Sequence, residues 1–136
     1  MEKKFPRLTV DAIILRKDSI ILIKRKNPPF KDMWALPGGF VEYGETVEEA
    51  IIRETKEETG LDVEILNLFN VYSNPDRDPR CHTVSIVFSC RVTGGSLNAS
   101  SDSADVREFK LTELPELAFD HADIVGDFLT TMRKHK

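Results

Sequence analysis

The reading of the fold turns on one stretch, Gly39-Phe-Val-Glu-Tyr-Gly-Glu45-Thr-Val-Glu-Glu-Ala-Ile-Ile-Arg53-Glu54-Thr-Lys-Glu57-Glu58-Thr-Gly60-Leu61. Within it Thr46-Val47-Glu48-Glu49 is a capping box, in which hydroxyl and carboxylate satisfy the first free amides of a helix. Gly60 supplies a stop. The spacing predicts a helix over 47–59. At about 100° per residue, Val47, Ala50 and Ile51 share its apolar face, with Glu48, Glu49, Ile52, Thr55, Lys56 and Thr59 on the outer arc. Glu54, Glu57 and Glu58 then fall on the side used for packing.

Three carboxylates there repel one another, and partial desolvation raises the cost. Compensation can come from a basic side chain, shared protons or a divalent cation. Arg53 reaches Glu57 on the same helix, but one guanidinium does not neutralise three acids. Hard oxygen donors without His or Cys suit Mg²⁺ or Mn²⁺ rather than zinc. The cluster reads as a metal platform; a purely Arg- and Lys-compensated helix end is the structural alternative.

Outward from the helix, Leu8 to Leu15 and Ile20 to Ile23 read as a hairpin joined by Arg16 to Ser19. Asn27 to Asp32, with Pro28 and Pro29, reads as a loop, and Trp34 to Leu36 as a short strand ending at Pro37-Gly38-Gly39. Downstream, Val63 to Tyr72 and Thr83 to Val92 read as strands flanking a polar loop, Ser73 to His82. Val84, Ile86, Phe88, Cys90 and Val92 share a strand face, which makes Cys90 a core residue. Asn98 to Asp105 reads as a loop and Val106 to Leu111 as a short strand. A final helix from about Asp120, its N-cap, to near Lys134 buries Ile124, Val125, Phe128, Leu129 and Met132.

Composition narrows the class. The 136 residues, 40% apolar and 31% charged, fit one domain and one core. A net charge of -4 gives no sign of a stable nucleic acid partner or of binding to an anionic membrane. No purely apolar run exceeds four residues, far short of the roughly 20 that span a bilayer. Two cysteines and no signal-like stretch lead to the expectation of a cytoplasmic, reduced protein. Charge is segregated: Glu42 to Glu64 holds nine acids against Arg53 and Lys56, whereas the first 31 residues hold nine basic and three acidic side chains.

Gly39, Glu45, Arg53-Glu54, Glu57-Glu58 and Gly60, followed by apolar Leu61, match the Nudix box in residue type and spacing. Thr55 stands where an aliphatic residue is usual. The chain thus resembles the Nudix hydrolases, MutT-like enzymes. The resemblance implies a single α/β domain over 1–136, an α/β/α sandwich with a mixed sheet between helices. It implies that Glu54, Glu57 and Glu58, with the Gly39 carbonyl, bind Mg²⁺ (or Mn²⁺). Glu54 or Glu57 would polarise the attacking water, Arg53 would orient the ligand acids and Glu45 would brace the loop before the helix. It also extends to homodimers built on sheet edges or N-terminal strands.

Family membership implies hydrolysis of a nucleoside diphosphate linked to another group, a small-molecule nucleotide substrate. Pro75, in the loop that also carries Arg77 and Arg80, lies near a proline of the ADP-ribose-hydrolysing subgroup, and Leu117-Ala-Phe-Asp-His-Ala122 is similar to a segment found there. Arg77, Arg80, Pro75 and His121 are therefore candidate substrate contacts, and ADP-ribose the expected substrate. Pro75 can equally serve only to rigidify its loop, and His121 can be an exposed imidazole behind an N-cap. Trp34 and Phe40 can stack on a base or belong to the core; Arg7 and Lys24-Arg25-Lys26 can meet phosphate or keep strand ends soluble. Asp102, Asp105 and Glu108 are alternatives for a general base. The competing activities are pyrophosphatase action on nucleoside triphosphates or modified nucleotides, and nucleotide sensing without turnover.

Overall fold

Leu8 to Leu15 and Ile20 to Ile23 are apolar on both faces, as strands covered from two sides must be. The computed structural model, which describes residues 3–99 and 103–134, places them as β1 (Arg7–Arg16) and β2 (Ser19–Lys24), an antiparallel hairpin with Leu15 opposite Ile20. There follow β3 (Trp34–Ala35), β4 (Gly38–Phe40), α1 (Val47–Thr59), β5 (Leu61–Tyr72), β6 (Thr83–Gly95), β7 (Asp105–Lys110) and α2 (His121–Lys134). The sheet runs β3-β2-β1-β6-β5, with β4 on β1 and β7 on β2. β1 and β6 are parallel, Val10 opposite Ile86, and the other pairs antiparallel, so the sheet is mixed.

Strand alternation sorts the core into two layers. Val10, Ala12 and Ile14 of β1 and Ile21 and Ile23 of β2 pack with Ala50 and Ile51 of α1. Ile13, Ile20 and Leu22 pack on the opposite face with Ile124 and Val125 of α2. This is the expected α/β/α sandwich. Cys90 is 3% exposed within the first layer, and burial pushes its thiol up to about 12, which suits a core residue.

Two expectations about helix faces require correction. Thr55 and Thr59, read as outward, are fully buried, while Ile52 is 44% exposed. The chain beyond β6 lies across the end of α1: Asn98 N–H donates to Thr59 O at 2.8 Å and the Ser103 hydroxyl to Glu58 O at 2.9 Å. A helical wheel contains nothing of a segment forty residues away. The α2 stripe also ends early. Phe128 meets the Phe69 ring at 5.1 Å, but Met132, read as buried, is 39% exposed in a final turn that faces solvent.

Burial of Thr55 carries a cost. The Thr59 hydroxyl donates to Thr55 O at 2.7 Å, but Thr55 Oγ1 is buried with no hydrogen-bond partner among the described residues. A buried hydroxyl without a partner costs about 1–3 kcal/mol. Thr55→Val keeps the β-branch and removes the polar atom. It is expected to raise the thermal unfolding midpoint by about 3–5 °C; an unchanged or lower midpoint by calorimetry would show that the hydroxyl is satisfied.

Candidate active site

The site is built where α1 faces β4. The capping box forms, Glu49 N–H to Thr46 Oγ1 at 3.0 Å and Thr46 N–H to Glu49 Oε1 at 2.9 Å, and fixes the first turn of α1. Gly60 ends the helix in the left-handed region, φ 79°. Between these ends Arg53 gathers the acids. Its Nε and Nη2 donate to Glu45 at 2.6 and 3.0 Å, and its Nη1 donates to Glu54 at 2.7 Å and Glu57 at 3.2 Å. Nη2 also reaches Phe40 O at 3.2 Å, which joins the cluster to β4.

Glu58 points the other way along the same face. Its Oε1 accepts Gly38 N–H at 2.7 Å, and its residue is 8% exposed. The neighbouring glycine matters for space: a β-carbon on Gly39 would lie 2.5 Å from Glu54 Oε2. Gly38 is equally confined, since its β-carbon would stand 2.0 Å from Val10 O. The two glycines let β4 press against both β1 and the acids of α1. Among the described residues no three His, Cys, Asp or Glu side chains stand close enough together to form a ligand shell as they are. The donor chemistry nevertheless fits a hard divalent cation: three carboxylates around a glycine strand that leaves Glu54 room.

From Glu58 a cleft extends past Gly38 and Gly39 to Phe40, Arg25, Arg80, Phe119 and His121. Arg80 donates to Asp78 from Nε at 3.1 Å and Nη2 at 2.8 Å, and lies 5.2 Å from the Phe40 ring centre and 5.6 Å from that of Phe119. Arg25 lies 4.8 Å from the Phe119 ring centre. Arg25 and Arg80, with the rings of Phe40 and Phe119, thus share the cleft with the carboxylates of Asp11, Glu58 and Asp78. His121 is 4% exposed; its Nδ1 accepts Leu36 N–H at 3.0 Å, and its Nε2 faces Asp11 Oδ1 at 3.6 Å. That donor assigns the ring proton to Nε2, and burial lowers the pKa, which keeps the imidazole neutral.

The profile of the NUDIX domain matches residues 5–129, nearly the whole length. The chain belongs to the NUDIX domain family. It is 56% identical over 124 residues to an ADP-ribose pyrophosphatase of Methanocaldococcus jannaschii, covering 91% of this chain and 73% of that one. Among solved Nudix structures it resembles a bifunctional NMN adenylyltransferase/ADP ribose pyrophosphatase of Francisella tularensis complexed with AMP and a Mn ion. That likeness has a TM-score of 0.84 and 33% identity, over 96% of this chain and 43% of that one. The NUDIX domain of Shewanella oneidensis NrtR complexed with ADP ribose superposes with a TM-score of 0.80 at 26% identity, over 96% of this chain and 90% of that one.

The structure brings the Nudix box residues Gly39, Glu45, Arg53, Glu54, Glu57 and Glu58 together, and sorts the remaining candidates. Arg80 and His121 line the cleft, as does Arg77, whose guanidinium is 5% exposed and paired with both oxygens of Asp120 at 2.7 and 2.9 Å. Asp120 therefore serves Arg77 rather than capping α2 with its carboxylate. The exposed-imidazole alternative for His121 is excluded by its burial. Pro75 is exposed and outside the cleft lining. Trp34 packs edge-on to Phe109 at 4.8 Å, whereas Phe40 faces the cleft. Asp105 is held by Arg107 at 2.9 Å and Glu108 by Arg16 at 3.5 Å, and neither lines the cleft; Asp102 lies outside the described residues. Phe119, part of the segment Leu117 to Ala122, lines the cleft, whereas Asp11 and Asp78 were not singled out for the site by the sequence, because only the fold carries them to it.

Arg53, followed by the Glu42 N–H, holds the Glu45 carboxyl down at about 2, against an ordinary value of 4.5. A depressed carboxylate stabilises the fold fully above its unfolded value, and this contribution disappears as pH falls through the folded value. Glu45→Gln should therefore flatten the acid loss of stability between pH 4.5 and about 2. Urea unfolding at a series of pH values measures it; identical slopes in both proteins would contradict the Arg53–Glu45 assignment.

Proposed function

We propose that the chain, as one Nudix domain, hydrolyses the diphosphate of ADP-ribose to AMP and ribose 5-phosphate with the help of Mg²⁺ or Mn²⁺. The observation that carries this reading is the cleft that runs from Glu58 and Gly39 of the box to arginine and aromatic side chains. Likeness to the Methanocaldococcus jannaschii ADP-ribose pyrophosphatase supports the choice of substrate.

Glu54, Glu57 and Glu58, together with the Gly39 carbonyl, would hold the cation. When bound, the ion would supply positive charge to the diphosphate and make water a stronger nucleophile near neutral pH. The protein's own residues do the positioning. Arg53 keeps Glu54 and Glu57 from turning apart and ties them to Glu45. Gly38 N–H fixes Glu58 at the mouth of the cleft. A carboxylate of this cluster orients the water towards phosphorus and accepts its proton; the new P–O bond forms as the bond to the bridging oxygen breaks and that oxygen leaves with the other phosphate. Arg80 and Phe40, which line the cleft, are suited to hold the nucleotide portion.

The test is product analysis over ADP-ribose, other ADP-sugars, NADH, diadenosine polyphosphates and nucleoside triphosphates, with Mg²⁺ and with EDTA. ADP-ribose is expected to lead, yielding AMP only with metal, and Glu57→Gln to lose turnover by at least about 100-fold. Pyrophosphate release from a triphosphate as the leading activity would overturn the substrate. Full activity in Glu57→Gln would overturn the carboxylate site.

A further inference from the structure

The segment before α2 is stitched to β3 and to the residue that follows it, on the way to the glycines of β4. Leu117 bridges Trp34 in parallel, Ala118 N–H donates to Trp34 O at 2.8 Å, and Leu36 N–H donates to His121 Nδ1 at 3.0 Å. The His121 ring thus takes the place of the next backbone acceptor along a short ladder. One residue further, Ala12 N–H donates to Pro37 O at 2.8 Å, and Gly38 N–H then meets Glu58. The Leu36 amide that His121 accepts is therefore two residues along the chain from the Gly38 amide that anchors Glu58, and three from Gly39, which leaves room for Glu54.

Phe119 adopts φ 54°, a strained value for a bulky side chain, as the chain turns into α2. Past that turn both carboxylate oxygens of Asp120 accept from the Nε–Nη2 edge of Arg77, whose Nη1 also donates to Thr83 Oγ1 at 2.7 Å. Arg77 belongs to the loop that carries Asp78 and Arg80. Two consecutive side chains at the head of one helix therefore hold the two halves of the cleft.

We propose that Asp120 and His121 form a positioning brace, His121 setting the Leu36–Gly39 strand beneath the carboxylates and Asp120 setting the arginine loop that receives the nucleotide. The catalytic half of this inference rests on the hydrolase reading. His121 acts through Leu36 rather than by touching substrate, since Nδ1 is taken by the Leu36 amide and Nε2 faces Asp11.

Three variants test it. His121→Asn retains an acceptor where Nδ1 stands; His121→Leu removes it and leaves a buried amide unpaired; Asp120→Asn breaks the paired grip on Arg77. In metal-free protein, hydrogen exchange by NMR should show the Leu36 and Gly38 amides less protected in His121→Leu and close to wild type in His121→Asn. With metal and ADP-ribose, His121→Leu should lose about 10- to 100-fold in kcat with KM little changed, as a small misplacement of reacting groups does. His121→Asn should recover most of that loss, and Asp120→Asn should mainly raise KM.

Unchanged exchange in His121→Leu would overturn the brace. So would a raised KM at unchanged kcat in both His121 variants, which is the signature of direct substrate contact. Should His121→Leu fail to fold, a kcat in His121→Asn reduced as far as about 100-fold would overturn it, because that variant keeps the acceptor. If wild-type protein does not hydrolyse ADP-ribose, the functional reading fails while the exchange data still judge the brace.

Discussion

One guanidinium organises this molecule. Arg53 lies against Glu45, Glu54 and Glu57 and against the Phe40 carbonyl, so a single cation binds the loop before α1, the acids of α1 and strand β4. Without it, carboxylates one helical turn apart would repel across a partly desolvated face. With it, they are gathered but incompletely neutralised. The remaining negative charge is what a divalent ion would answer, and Gly39 admits Glu54 because no β-carbon intrudes.

The two-layered core follows from the same geometry. β1 sits at the centre of the sheet, and its alternation sends Val10, Ala12 and Ile14 to α1 and Ile13 to α2. Asp11, between them, points into the cleft side and receives the Ser85 hydroxyl. The polar floor of the cleft is thus paid for by apolar neighbours on either side in sequence. This is why a chain of modest size supports a charged interior wall: each buried acid has a donor or cation beside it.

Much of this was legible in the sequence. Capping residues, glycine stops and strand periodicity are local signals, and they placed α1, the β1–β2 hairpin and the late strands. The box spacing put Glu54, Glu57 and Glu58 on one helix, where Arg53 gathers Glu54 and Glu57 with Glu45 while Glu58 takes the Gly38 N–H. What escaped was non-local. Asn98 and Ser103 meet the Thr59 and Glu58 carbonyls at the end of α1, which a wheel does not contain. Arg77 looked like a phosphate ligand because its pairing with Asp120, far along the chain, leaves no trace in local pattern. His121 looked exposed for the same reason: its partner, Leu36, is 85 residues away. Pro75 lay beside useful arginines in sequence but outside the cleft in space.

The most direct test of the central claim is an anomalous diffraction map from crystals of the protein grown with Mn²⁺ and AMP. The account predicts a manganese peak among the carboxylates of Glu54, Glu57 and Glu58 beside Gly39, with the nucleotide reaching towards Arg80. A manganese peak only at other acids, or none at concentrations that support turnover, would contradict it.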